Sequence, residues 1–145
     1  HPARPVLGFA CPRREVSGTR LWGWAATRFG SATDFFSRFF VVNYCPLCFI
    51  EPTSRNRTPD KLPPRERAPL LAACDEALRL QVAYFKPRYV VGVGAWAETC
   101  ARRALAGFDT TIGRIPHPSP ASPMSRQGWP EQVDAALAAI GIGLS

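Results

Sequence analysis

The chain is expected to form an α/β domain built around a parallel sheet, and three stretches carry that expectation. Residues 39–45 are a near-continuous apolar run, broken only by Asn43, the pattern of a strand buried on both faces. Residues 88–93 form a second such run and lead straight into a helix-like stretch over 95–106. Residues 110–115 are a third, β-branched run, followed by an alanine-rich helical segment over 128–140. Strands alternating with helices in this way pair in parallel, because each crossover helix returns the chain to the same end of the sheet.

At 145 residues the chain is one domain or most of one, long enough for a real core, and its 46% apolar content argues against disorder. Lys and Arg number 18 against 11 Asp and Glu, a net charge of +7. Lys61 and Lys86 are the only lysines, so the basic surface is almost wholly arginine. The guanidinium fork makes bidentate phosphate and base contacts that lysine does not, which makes nucleic acid the leading partner class. GC-rich coding also enriches arginine and alanine and accounts for part of this. No apolar run approaches the roughly 20 residues of a membrane span, so no membrane partner is expected. The chain opens on His1 rather than Met, so it is expected to be a fragment, with targeting information elsewhere. Cys11, Cys45, Cys48, Cys74 and Cys100 are an odd set on apolar elements, which suggests reduced, buried thiols in a nuclear or cytosolic protein. Cys45 and Cys48 have C-x-x-C spacing, but no second pair exists and both histidines are far off in sequence, so no metal is expected.

Taken in order, residues 1–16 read as proline- and arginine-rich coil. Ser17 is placed to cap a helix over 19–29 whose Leu21, Trp22, Trp24 and Ala25 would pack on the sheet, with Gly30 ending it. A second short helix is expected over 34–38. The run at 39–45 follows, with Asn43 at its C-terminal end. An amide there must find partners or lose about 1–3 kcal/mol, so Asn43 either caps the strand or reads a ligand. Residues 53–67 are the most polar stretch, holding Thr53, Ser54, Arg55, Asn56, Arg57, Thr58, Pro59, Lys61, Arg65 and Arg67. They form either a solvated loop or, lying just beyond a strand end, a phosphate-contacting surface. Thr58 and Pro59 look like a cap followed by proline at the first helical position.

Leu70, Cys74, Leu78, Val82 and Phe85 recur at helical spacing, and Pro87 stops the helix they define. Gly92, Gly94 and Ala97 match G-x-G-x-x-A at a strand-to-helix turn, the context of a dinucleotide fingerprint. The acidic residue such a site needs about 20 positions on is lacking, since Asp109 comes too early. Tight strand–helix packing explains the same glycines. Gly107 is a natural terminator for the helix over 95–106. Beyond the strand at 110–115, Pro116, Pro118 and Pro120 alternate with His117 and Ser119. Prolines fix φ and remove donors, so this loop holds His117 in one place at a strand's C-terminal end, where open α/β sheets bind ligands. A lone histidine is also common as a structural residue.

Taken together these pieces resemble a known family. Val16-Ser17-Gly18 with Trp22-Gly23, Asn43-Tyr44-Cys45-Pro46-Leu47, Arg55-Asn56 with Thr58-Pro59, Val90 to Gly94, Arg102 through Gly107, and His117-Pro118-Ser119-Pro120 with Gly128-Trp129 look like the single-strand-selective monofunctional branch of the uracil-DNA glycosylase superfamily. The likeness covers essentially the whole chain. It implies a three-layer α/β/α sandwich with four parallel strands, about three of them in this fragment, and a nuclear base-excision-repair enzyme acting as a monomer. It implies removal of uracil and 5-hydroxymethyluracil from single- and double-stranded DNA, with no metal or organic cofactor.

Two departures stand out. The family's first motif, a Gly-Met-Asn-Pro-Gly-Pro loop with its water-positioning asparagine, is absent. It is expected N-terminal to His1 with the first strand, so the chain alone is expected to be inactive. The family's arginine after the His-Pro-Ser-Pro motif is replaced by Ala121, although Arg126 lies nearby.

The resemblance assigns roles. His117, as a neutral N–H donor, would stabilise charge on uracil O2, a contribution on the order of 3 kcal/mol. Asn43 would donate to uracil O4 and accept from N3–H, its amide held by neighbouring groups. Ser17, Gly18, the residues named within 53–67, Ser119, Pro120, Ala121, Ser122, Pro123, Met124 and Arg126 would contact DNA, the last part of that set filling the gap left by a flipped base. A non-catalytic nucleic-acid-binding fragment is the alternative, and a Rossmann-type nucleotide-binding domain a more distant one.

Overall fold

The computed structural model describes residues 5, 7–12, 14–120 and 128–144. Five helices and four strands follow in the order α1 (Val16–Phe29), α2 (Ala32–Arg38), β1 (Phe49–Ile50), β2 (Asn56–Arg57), α3 (Pro64–Phe85), β3 (Tyr89–Val93), α4 (Ala95–Ala104), β4 (Thr111–Ile115) and α5 (Trp129–Ala139). Short 3-10 turns lie at Gly8–Ala10 and Pro59–Lys61.

The centre is a β3–α4–β4 unit. β3 and β4 pair in parallel from Tyr89 opposite Thr111 to Val93 opposite Ile115. Strand alternation gives this small sheet two apolar faces. Val91, Val93 and Ile115 join a cluster of Trp24 and Ala25 from α1, Phe35 from α2, and Trp129, Val133 and Leu137 from α5. Val90 and Ile112 join the other cluster, with Val82 from α3 and Ala101, Ala104 and Leu105 around α4. Helices therefore cover both faces of a parallel pair, which is α/β architecture. Val133 and Leu137 are almost wholly buried, and truncating such a leucine to alanine costs about 2–5 kcal/mol.

Element ends obey local chemistry. Ser31 Oγ accepts from the Asp34 amide at 3.1 Å and starts α2. Gly30 closes α1 at φ 71°. Lys86 takes a left-handed conformation at the end of α3, just before Pro87. Gly107, at φ 89°, lies in the turn beyond α4, which stops at Ala104 with Leu105 at its end rather than running to 106.

Several expectations need correcting. Residues 39–45 are not a strand. The run is apolar, but a strand also needs a neighbour for its backbone groups, and among the described residues none exchanges backbone hydrogen bonds with 40–48. Phe40, Val41 and Val42 are exposed. Among the described residues the parallel sheet thus has two strands rather than three, and a short antiparallel β1–β2 pair stands apart. Ser17 is not a cap: α1 begins at Val16, Glu15 precedes it, and no side chain caps it. Thr58 does precede Pro59 at the start of the second 3-10 turn, but its side chain makes no capping bond. Of the five free thiols only Cys74 and Cys100 are buried, while Cys11 and Cys48 are exposed, because these two sit in segments outside the core. Burial first, then the neighbouring Cys45, pushes the Cys74 thiol up to about 11. No described helix is long and apolar enough to cross a membrane.

Candidate active site

His117 lies two residues beyond β4, and the loop that carries it is clamped on both sides. Pro116 O accepts from the buried indole Nε1 of Trp129, at the start of α5, at 3.0 Å. Pro118 O accepts from Arg20 Nη1, on α1, at 2.8 Å. Prolines cannot donate, so the carbonyls of this loop are its only backbone handles at these positions, and each is held by a different helix. Beneath the ring lies the β3–α4 turn. Gly94 sits at φ 90°, ψ 164°, and a β-carbon there would stand 3.1 Å from His117 Cβ and 3.3 Å from Cδ2. Gly94 N–H donates to Ile115 O at 2.9 Å, which levels the ends of the two strands.

The imidazole is oriented as well as held. The Ser119 backbone N–H donates to His117 Nδ1 at 3.0 Å. A nitrogen that accepts carries no proton, so in the neutral ring the proton is on Nε2, directed away from the loop. His117 is exposed, so that donor is accessible.

Asn43 lies on the exposed, extended segment after α2 and makes no side-chain hydrogen bond to another described residue. Among the described residues no neighbouring side chain therefore holds its amide. The chain is fastened one residue later. Tyr44 Oη donates to Asp75 Oδ1 at 2.5 Å, while Arg103 Nη2 donates to Tyr44 Oη at 2.8 Å. Arg103 also grips both Asp75 oxygens, Nε to Oδ2 and Nη2 to Oδ1, each at 2.9 Å. Burial would raise the Asp75 carboxyl, but the bonds from Arg103 and Tyr44 outweigh it and hold the group below its ordinary value. Burial, then Asp75, pushes the Tyr44 hydroxyl above its usual range.

Asn43, Tyr44, Leu78 and Gln81 help line a pocket of about 270 Å³, which His117 does not enter. No hydrogen bond joins Asn43 to His117. What relates them is the β3–α4 turn: His117 packs on Gly94, and Tyr44 meets Trp96 edge-on at 5.3 Å.

The basic stretch divides in two. Arg57 Nε and Nη2 donate to Lys61 O at 3.2 and 2.9 Å, and Arg67 Nη1 donates to Asp60 O at 2.8 Å. These guanidiniums brace the loop. Arg55, Lys61 and Arg65 are exposed and turned to solvent, along with Thr53, Asn56 and Thr58. Ser54, at φ 63°, and Pro59 are half-buried. Ser17 and Gly18 are half-buried on the first turn of α1, Ser119 is half-buried, and Pro120 is exposed. Ala121, Ser122, Pro123, Met124 and Arg126 lie outside the described residues.

The dinucleotide reading of Gly92 and Gly94 gives way to packing. A β-carbon on Gly92 would fall 2.4 Å from Glu98 N and 2.7 Å from its Cα, so α4 itself occupies that space. Gly94 is needed for its backbone angles and its closeness to His117. Arg20 was not foreseen, because nothing local marks a residue that binds 98 positions away. Trp129, noted only as a helix start, had the cue of an indole N–H near a proline-rich loop.

No family model matches the chain. It is similar to the single-strand selective monofunctional uracil-DNA glycosylase of Rattus norvegicus, 47% identical over 144 residues that take in 98% of this chain and 52% of that protein. The Mus musculus protein of the same name is 46% identical, over 98% of this chain and 52% of its own length. That of Bos taurus is 45% identical, over 98% and 53%. The chain spans about half the length of the curated relatives it matches.

Proposed function

We propose that the protein carrying this chain is a DNA-repair glycosylase that flips uracil or 5-hydroxymethyluracil out of single- or double-stranded DNA and hydrolyses its N-glycosidic bond. The observation that carries the reading is the 3.0 Å bond from Ser119 N–H to His117 Nδ1, which leaves Nε2–H as the donor. The names of the relatives support the substrate class.

Breaking the bond between the base nitrogen and the sugar carbon sends its electron pair to the base. An oxocarbenium-like sugar is left, to be taken by water, and negative charge gathers on uracil O2. A donor fixed beforehand at that oxygen stabilises charge only as it develops, so it lowers the barrier rather than merely tightening binding. The clamps from Arg20 and Trp129 and the seat on Gly94 serve this end, since a donor that must first be ordered loses much of its effect. Asn43 reads the base edge, donating to O4 and accepting from N3–H, a pattern cytosine presents reversed; such a contact discriminates by about 1–3 kcal/mol. Arg55, Lys61 and Arg65 supply phosphate contacts that fix register without reading sequence.

In this reading the enzyme is a nuclear monomer whose sheet has four parallel strands between two helical layers. β3 and β4, with an apolar cluster on each face, support that arrangement. The water-positioning asparagine comes from outside these residues, so this chain alone does not excise uracil. A glycosylase assay on uracil-containing single-stranded DNA, run on the chain alone and on the full-length protein, tests the proposal. Excision by the full-length protein only is the expected result. DNA binding without excision by the full-length protein would replace the enzyme with a nucleic-acid-binding module.

A further inference from the structure

We propose that Tyr44, Asp75 and Arg103 form a positioning device for Asn43, an inference that rests on the base-reading role given to Asn43 above. Asn43 makes no side-chain hydrogen bond of its own among the described residues, its segment joins no ladder, and its neighbours Phe40, Val41 and Val42 are exposed. On that side the ring contact is that of Phe40 with Phe85 at 4.6 Å, three residues from the amide it would have to direct. On the other side stands Tyr44, whose Cα is about 3.8 Å from that of Asn43 across a trans peptide.

Tyr44 is held from three directions. Its hydroxyl donates to Asp75 Oδ1 on α3, its oxygen accepts from Arg103 on α4, and its ring meets Trp96 at the start of α4. Asp75 and Arg103 close the ring with their own two bonds. Asp75 is the one charged side chain among the buried described residues, at 8% exposure. A buried ion pair is a poor device for stability, because apolar side chains of similar volume serve as well without the desolvation cost. What such a set provides and apolar packing does not is direction. One placement of Tyr44 satisfies all its bonds, and Asn43 follows from it.

The test is a double-mutant cycle in the full-length protein, read as the single-turnover rate of uracil excision alongside DNA affinity. Asp75→Asn removes the carboxylate. Tyr44→Phe removes only the hydroxyl and keeps the contact with Trp96, so it decides the matter if Asp75→Asn does not fold. Each change is expected to slow excision about tenfold with DNA affinity unaltered. In an Asn43→Ala background, already slow, neither should slow it further, because their effect runs through the missing amide. The same tenfold loss in both backgrounds would make the network a general structural support and overturn the inference, as would an unaltered rate in both single variants. An Asn43→Ala protein that excises uracil at the original rate would instead remove the base-reading role itself.

Discussion

Replacing Gly94 with alanine perturbs the seat of His117 through a single added carbon. Two costs can be worked out. At φ 90° and ψ 164° the backbone occupies a region held almost only by glycine, and an L side chain there costs about 1–3 kcal/mol. In a protein of the relatives' size a loss of 1 kcal/mol lowers Tm by about 2–4 °C, so Gly94→Ala should lower it by roughly 2–12 °C. The second cost is local. The new carbon would stand 3.1 Å from His117 Cβ, well inside the about 3.5–4.0 Å of an ordinary contact, so the imidazole must give by a few tenths of an ångström. A 1 Å misplacement costs on the order of a hundredfold in rate, so this shift should cost roughly three- to tenfold. The assay is single-turnover excision by the full-length variant at a temperature below the transition that a paired thermal melt records. A variant that melts lower but cleaves at the original rate would show that the turn does not position the histidine. Gly92→Ala is the contrasting case. Its added carbon meets α4 backbone at 2.4 Å, so no stable fold is expected.

Other outcomes follow from the same geometry. His117→Ala should cut the single-turnover rate by roughly 10²–10³ with DNA affinity nearly intact, because the donor acts on charge present only in the transition state. Since Nδ1 accepts from the Ser119 N–H, the ring works as a neutral donor, and the rate of the unmodified enzyme should hold from pH 7 to 9; a collapse over that range without loss of binding would refute it. Replacing Arg55 and Lys61 together should flatten the log–log salt dependence of duplex binding by up to roughly two units, at about 0.9 per phosphate contact, whereas Arg57→Ala, which removes a half-buried guanidinium bonded to Lys61 O, should change the slope less. Asp75 titrates below its ordinary value in the folded chain, so the unfolded chain takes up its proton first as the solution is acidified. The stability it contributes is present above the ordinary value near 4 and is lost below it, and chemical denaturation from pH 6 to 3 should show a shallower loss for Asp75→Asn.

The parts of the fold that were legible in sequence are those whose signals are local. The run over 88–93 with its glycines gave away the strand, the turn and the helix after it, and Pro87 and Gly30 each marked an element end. Residues 39–45 misled because apolar patterning reports a tendency to be covered, while strand formation depends on a partner the pattern cannot name. His117 stood out through the prolines around it, yet the groups that orient it were hidden. Arg20 and Trp129 bind carbonyls, which no side-chain pattern reveals, and the Ser119 donor belongs to the backbone. The splitting of the basic stretch into bracing and solvent-facing arginines likewise depends on which carbonyls a folded loop presents.

The clamp on the His117 loop also bears on how the chain folds. β3, α4 and β4 are consecutive and can form by local closure, but Arg20 reaches Pro118 across 98 positions and Trp24 reaches Asp134 across 110. Contacts of that span form late, because closing a long loop costs entropy before any packing offsets it. The βαβ unit can therefore be complete while His117 still lacks its final setting. Hydrogen exchange would register the order: amides of β3 and α4 should gain protection first in a refolding experiment, and the Ser119 amide only when α1 docks. A loop tied to α1 across 98 positions reaches its final setting only in chains that have closed, so partly folded molecules carry the sheet without the clamped arrangement of the His117 loop.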